Sequence, residues 1–89
     1  MRIKKGFVIQ KVSGSYLACA TGKLAADFSA IVKLNETGAF LWNKIEASGE
    51  VDKAALCDAV AEHYGIDREI AERDVAAFVE NLSANGILE

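Results

Sequence analysis

The sequence predicts an α+β fold in which a three-stranded antiparallel sheet is followed by three helices. Three observations predict it. β-prone residues dominate the first third of the chain, the hydrophobic period changes from strand to helix at Asn35, and a glycine follows each helical stretch. The chain has 89 residues, of which 52% are hydrophobic, and therefore has the size of a single domain spanning residues 1–89.

The sheet is predicted from the first 34 residues. A β-prone run extends from Phe7 to Val12, Gly14-Ser15 is a two-residue turn signal, and Tyr16 to Ala20 returns as its partner. A looser connection, Thr21 to Ala30, leads to a short third strand from Ile31 to Leu34. In a simple meander the second strand is central and the third lies at an edge, but the long connection leaves this order open.

Three helices are predicted after the sheet. Each has a polar N-cap candidate and a glycine after its last turn, in the pairs Asn35 (or Thr37) and Gly49, Asp52 and Gly65, and Asp67 and Asn85-Gly86. Ile87 can fold back onto the last turn of the third helix. The first helix carries Trp42, the only tryptophan, which we assign to the core. In the second helix, Val60 and Tyr64 lie at core spacing.

Composition and charge exclude several classes of function. The net charge of −3 and the pI of about 5.1 disfavour nonspecific binding to a polyanion. No apolar run approaches transmembrane length, so we expect a cytoplasmic protein without membrane contact. Cys19 and Cys57 are too far apart in sequence for a disulfide framework or a zinc pattern, and we interpret both as buried thiols.

The sequence shows no catalytic arrangement. His63 is the only histidine, and its offset from Cys57 places the two side chains on different faces of the second helix. The glycines occur singly at turns and caps, so no phosphate-binding loop is present. We therefore predict a protein that is not an enzyme and that carries no cofactor or metal.

The third helix carries two stripes at helical spacing. One is an ordinary core stripe, which consists of Ala71, Val75, Phe78, Val79 and Leu82. The other lies on an adjoining side and mixes apolar, charged and amide side chains: Ile70, Arg73, Asp74, Ala77 and Asn81. The second stripe is either a half-exposed flank or a surface that holds one apolar residue of a ligand and orients its polar neighbours.

Three stretches of the chain resemble the PqqD-like family, which is named for the pyrroloquinoline quinone biosynthesis protein D. They are Lys5 to Val8, the Leu-Asn-Glu-Thr run with its aromatic-rich helix from Leu34 to Trp42, and a terminal pattern of Asp74-Val75, Phe78, Leu82 and Gly86-Ile87-Leu88. The resemblance covers nearly the whole chain. The Leu-Asn-Glu-Thr run is the more specific part, because many winged-helix domains end with a similar terminal pattern.

This resemblance implies a winged-helix-like domain that binds the leader segment of a ribosomally made precursor peptide. Such a domain is a peptide chaperone that presents the precursor to a modifying enzyme, often a radical S-adenosylmethionine enzyme. In the family, the leader docks as an extra strand in a groove between the third strand and the third helix. The residues that match this groove here are Ile31, Val32, Lys33 and Leu34 on the strand, and Ile70, Arg73, Asp74, Ala77 and Asn81 on the helix.

In this interpretation, backbone hydrogen bonds supply much of the affinity and side chains supply the specificity. Ile70 and Ala77 offer an apolar contact surface for a leader side chain, while Arg73 and Lys33 can pair with acidic leader residues. The N–H of Val32 is predicted to point outwards from the edge, so a Val32→Pro substitution should weaken leader binding without unfolding the domain.

Two alternatives remain open at this stage. A DNA-binding winged-helix regulator would use the third helix for recognition, but residues 67–82 carry five acidic side chains and two arginines. A homodimer could form through the same edge strand, with or without leader binding. The resemblance does not specify the precursor, the modification, or whether the product is pyrroloquinoline quinone.

Overall fold

A computed structural model of the chain describes residues 1–21 and 31–89. It has the predicted α+β architecture, a three-stranded antiparallel sheet followed by three helices. The strands are β1 (Phe7–Val12), β2 (Ser15–Ala20) and β3 (Val32–Leu34), and the helices are α1 (Glu36–Ser48), α2 (Lys53–Tyr64) and α3 (Arg68–Ala84). Apart from Thr21, the connection predicted before the third strand lies outside the described residues.

The first two strands form a hairpin whose turn is Ser13-Gly14, one residue earlier than predicted. Both turn residues have positive φ, 50° for Ser13 and 81° for Gly14, as the commonest two-residue hairpin turn requires. The strand order is β1-β2-β3. The meander order is therefore correct, with β2 in the centre and β3 at an edge.

The predicted caps mark the helix boundaries. The Asn35 side-chain oxygen accepts a hydrogen bond from the Gly38 N–H at 2.7 Å, so Asn35 rather than Thr37 begins α1. Asp52 accepts one from the Ala55 N–H at 2.8 Å at the start of α2. Asp67 precedes α3 but makes no side-chain capping bond.

The chain closes α3 as the sequence indicates. The Gly86 N–H donates to the Ser83 carbonyl at 3.1 Å and the Ile87 N–H to the Leu82 carbonyl at 3.0 Å. Gly86 has a φ of 69°, which completes the Schellman arrangement. Ile87 is buried, so this turn fixes the path of the last residues against the core.

The core lies between the helix-facing side of the sheet and the three helices. Trp42, Leu56 and Val60 are fully buried. The predicted core stripe of α3 is also fully buried, except that Phe78 is slightly exposed and Val79 is half-buried. Two expectations were wrong. The Tyr64 side chain is 37% exposed rather than in the core, and only Cys57 is buried, since Cys19 is half-buried.

The two ends of the chain pair with each other, which the sequence did not indicate. Ile3 and Leu88 form an isolated antiparallel bridge. The Lys4 N–H donates to the Ile87 carbonyl at 2.8 Å, and the Glu89 N–H donates to the Arg2 carbonyl at 2.9 Å. Among residues 1–21 and 31–89, no helix has the length and apolar character needed to cross a membrane.

Candidate binding groove

One edge of the sheet presents backbone groups that no described strand pairs. The Thr21 N–H donates to the Gly6 carbonyl at 2.7 Å, and this bond extends the β1–β2 ladder. Because hydrogen-bonded pairs alternate along an antiparallel ladder, the odd-numbered residues of β2 bond to β1. The even-numbered Tyr16 and Ala18 therefore bond to β3, where their partners are Leu34 and Val32. The N–H and C=O of the residue between them, Lys33, point away from the sheet.

This alternation corrects the prediction for Val32. Its N–H faces β2 rather than the free edge, because Val32 is the direct partner of Ala18. The outward donor of β3 is the N–H of Lys33. The side chains follow the same alternation, since Val32 and Leu34 are buried while Lys33 is exposed.

A groove runs between this edge and α3. Its apolar base consists of Leu34 and Phe78, which are both buried. The other residues that line it are mostly polar or small: Lys33, Asn35, Thr37, Gly38, Asp74, Ala77 and Asn81. Its volume of about 180 Å³ is below the roughly 300–1,000 Å³ of sites for small molecules, so the groove suits one or two side chains of an extended peptide.

Gly38 allows α1 to lie close to β3 at one end of the groove. A Cβ atom at this position would be 3.2 Å from the Asn35 Oδ1 atom and 3.3 Å from the Leu34 Cβ atom. A larger side chain would press on the helix cap and on the strand at once. The glycine in the Leu-Asn-Glu-Thr-Gly run therefore allows β3 and the start of α1 to pack closely.

The structure brings together five of the nine predicted site residues, because Lys33, Leu34, Asp74, Ala77 and Asn81 all line the groove. Val32 supports it from the core side. Three others do not line it: Ile31, which is 62% exposed just before β3, and the exposed Ile70 and Arg73 on α3. Their role in binding stays a prediction.

Four residues that the site prediction omitted also line the groove. Asn35, Thr37 and Gly38 belong to the same run that carries the family resemblance, and that run was the signal that could have identified them. Phe78 was assigned to the core stripe. It belongs to both, because its slightly exposed side chain reaches the groove from the core.

The groove carries charges that the described part of the chain does not neutralise. Neither Lys33 nor the half-buried Asp74 has an ion-pair partner among residues 1–21 and 31–89. Elsewhere on the helices, Arg68 pairs with Asp58 and Glu72. Within the described residues, the Lys33 and Asp74 charges are therefore not neutralised by an ion pair.

Outside the groove, the described residues form an aromatic cluster at the end of α2. Phe40 and His63 stack with ring centroids 4.3 Å apart, and the Tyr64 ring meets the His63 ring edge-on. Within the described residues, no group of histidine, cysteine and acidic side chains is placed to hold a metal ion. The groove therefore offers hydrogen bonds, an apolar base and the Asp74 carboxylate, and Lys33 adds a positive charge on the outer face of β3.

Comparison with known proteins gives a family match and two similar folds. The family model for coenzyme PQQ synthesis protein D (PqqD) matches residues 17–88. The fold is similar to that of TbiB1 in complex with the TbiA(beta) leader peptide, with a TM-score of 0.75 and 21% identity over 100% of this chain and 95% of that chain. It is also similar to lasso peptide synthetase B1 complexed with the leader peptide, with a TM-score of 0.73 and 22% identity over 99% and 95% of the two chains. No curated protein sequence matches significantly.

Proposed function

The chain belongs to the family of coenzyme PQQ synthesis protein D, and on this basis we propose that it binds the leader segment of a ribosomally made precursor peptide. It acts without catalysing a reaction itself, by holding the leader while a separate enzyme modifies the rest of the precursor. The two similar solved structures support this proposal, because both are complexes with leader peptides.

The outward N–H and C=O of Lys33 carry the proposal. They can form two hydrogen bonds with a residue of an added antiparallel strand, as in other cases of peptide recognition at a sheet edge. The added strand then lies between β3 and α3. Alternate side chains of the peptide enter the groove over Leu34 and Phe78.

The partners follow from this role. The modifying enzyme must hold the core segment while this domain holds the leader, and a radical S-adenosylmethionine enzyme is the class that the family resemblance implies. Because the precursor is made on ribosomes, we place this step in the cytoplasm. A second copy of the domain would pair through the same edge, so dimerisation and leader binding compete in this proposal.

The proposal is tested with a proline at position 33, where the backbone N–H points away from the sheet. The probe is a synthetic peptide that corresponds to the leader half of a short precursor encoded next to this gene. Lys33→Pro removes the outward N–H, and we expect it to weaken peptide binding by about tenfold. Isothermal titration measures the affinity, and amide chemical shifts identify the residues that the peptide contacts.

Lys33→Ala is the matched control, because it removes the same side chain but keeps the N–H. We expect it to bind the peptide more tightly than Lys33→Pro, with shifts at Lys33, Leu34, Ala77 and Asn81. Equal affinities for the two variants, with native circular dichroism for both, would contradict strand addition at this edge.

A further inference from the structure

The charges of Lys33 on β3 and Asp74 on α3 specify a pattern in the bound peptide. We propose that the domain selects a strand with an acidic residue opposite Lys33 and, an odd number of residues away, a lysine or arginine that pairs with Asp74. This inference rests on the proposed function and adds the class of peptide that the site prefers.

The first half of the pattern follows from the alternation in β3. Lys33 is exposed between two buried neighbours, so its side chain lies on the face of the sheet that points away from the helices. Directly opposite residues on adjacent strands share a face. The peptide residue opposite Lys33 therefore places its side chain beside an ammonium group that makes no ion pair with residues 1–21 and 31–89, and an acidic residue there forms a cross-strand ion pair.

The second half follows from α3. The peptide residues on either side of that acidic residue point towards the helices and enter the groove. There they meet Asp74, Ala77 and Asn81, which span about 10 Å along the helix, close to the length of three strand residues.

Asp74 is the charged side chain on the helix wall of the groove, and it is half-buried. It makes no salt bridge with residues 1–21 and 31–89. A carboxylate that is partly withdrawn from water gains most from a charge-assisted hydrogen bond, so a basic side chain is its best partner. At the other end of the groove, Asn81 already accepts a hydrogen bond from Asn85 and carries no charge.

The spacing is the distinctive feature of the proposal. Two side chains of a strand lie on opposite faces only when their positions differ by an odd number, so the acidic and basic residues are adjacent or three positions apart. A general attraction between charged surfaces would impose no such rule. The acidic composition of the helices favours a basic peptide residue, but only at positions whose side chains enter the groove.

The test uses a phage-displayed library of random twelve-residue peptides, selected on the full domain. We expect enriched peptides to carry an aspartate or glutamate and, at an odd spacing, a lysine or arginine. Selection on a Lys33→Glu domain should replace the acidic residue by a basic one, and selection on Asp74→Lys should replace the basic residue by an acidic one. A peptide selected on the wild type should bind Asp74→Asn about tenfold more weakly.

Lys53→Glu and Glu80→Lys are matched charge reversals on exposed helix positions outside the groove, and they should enrich the wild-type pattern. Peptides with no charge preference, or with an even spacing, would overturn this inference while leaving the proposed function in place, provided that Lys33→Pro weakens their binding. Peptides that bind Lys33→Pro as well as the wild type, or a library that yields no binder, would contradict the proposed function itself.

Discussion

At the scale of single residues, the helix starts show how similar sequence signals lead to different local structures. Each helix follows an Asn or Asp, but only two of the three side chains cap. Asn35 and Asp52 accept hydrogen bonds from the backbone three residues later, whereas Asp67 does not. A cap candidate can be identified from the sequence, but its χ1 angle and the entry path of the chain decide whether the bond forms.

This difference predicts unequal effects of two matched substitutions. Asp52→Ala and Asp67→Ala both remove a carboxylate near the positive end of a helix. Only Asp52→Ala also removes a capping bond, so we expect it to lower the free energy of unfolding by about 1 kcal/mol and Asp67→Ala by less. Urea unfolding of the two variants measures the difference. Equal losses would show that the charge, rather than the capping bond, stabilises both helix starts.

Gly38 shows what the sequence could not provide at this scale. The Leu-Asn-Glu-Thr-Gly run indicated a helix start, and the cap confirmed it. The reason for glycine depends on a contact between elements, because the position where a Cβ would lie is crowded by Asn35 and Leu34. Propensity alone would favour alanine there. The contact with β3 explains why the groove ends where α1 begins.

At the scale of elements, one turn residue determines which backbone groups face the groove. The strands were predictable, because β-propensity and the turn signal agreed, whereas the long connection before β3 left the strand order open. The turn was predicted one residue too late. A turn one residue later, with the β2–β3 register unchanged, would exchange the β2 residues that bond to β1 with those that bond to β3. The Val32 N–H would then point outwards, as the sequence prediction wrongly had it.

The corrected alternation predicts different stabilities for two adjacent proline substitutions. Val32→Pro removes the hydrogen bond to Ala18 and leaves a buried backbone acceptor without its donor, so we expect a loss of about 1–3 kcal/mol in unfolding free energy. Lys33→Pro removes an outward N–H and should cost less. Thermal and urea unfolding compare the two. A Lys33→Pro variant as unstable as Val32→Pro would contradict the assigned alternation.

At the scale of the whole molecule, charge is divided between the sheet and the helices. Residues 1–21 and 31–34 contain five basic and no acidic side chains, whereas residues 36–89 contain four basic and twelve acidic ones. The groove lies on this boundary, between the strand that carries Lys33 and the helix that carries Asp74. The division was readable from the sequence. The position of the boundary along the groove was not, because it depends on how β3 and α3 pack.

The pairing of the two chain ends was also beyond the sequence. Ile3 and Leu88 are ordinary apolar residues, and nothing in their local pattern indicates that they form a bridge. The bridge depends on the turn after α3, which directs Ile87 into the core and brings the last residues beside Arg2 and Lys4. Long-range pairing of this kind follows from the completed fold rather than from local propensity.

The division of charge makes a prediction about nucleic acids. A recognition helix must lie among phosphates in the major groove, and α3 is acidic over most of its length. We expect duplex DNA at roughly 0.15 M salt to leave the amide shifts of α3 unchanged, since phosphates repel this helix. Any weak shifts should occur near Lys5 and Lys11 on the sheet and should disappear as salt increases.

The leader peptide is the positive control in the same experiment, because it should shift Ala77 and Asn81 at salt concentrations that abolish contact with DNA. The responses to the two ligands then distinguish peptide binding from DNA binding by this fold. A DNA-binding protein needs α3 as a cationic surface, whereas a peptide-binding protein needs it as a wall beside a free strand. Saturable shifts along α3 with DNA would favour the regulator and leave the leader groove without its proposed role.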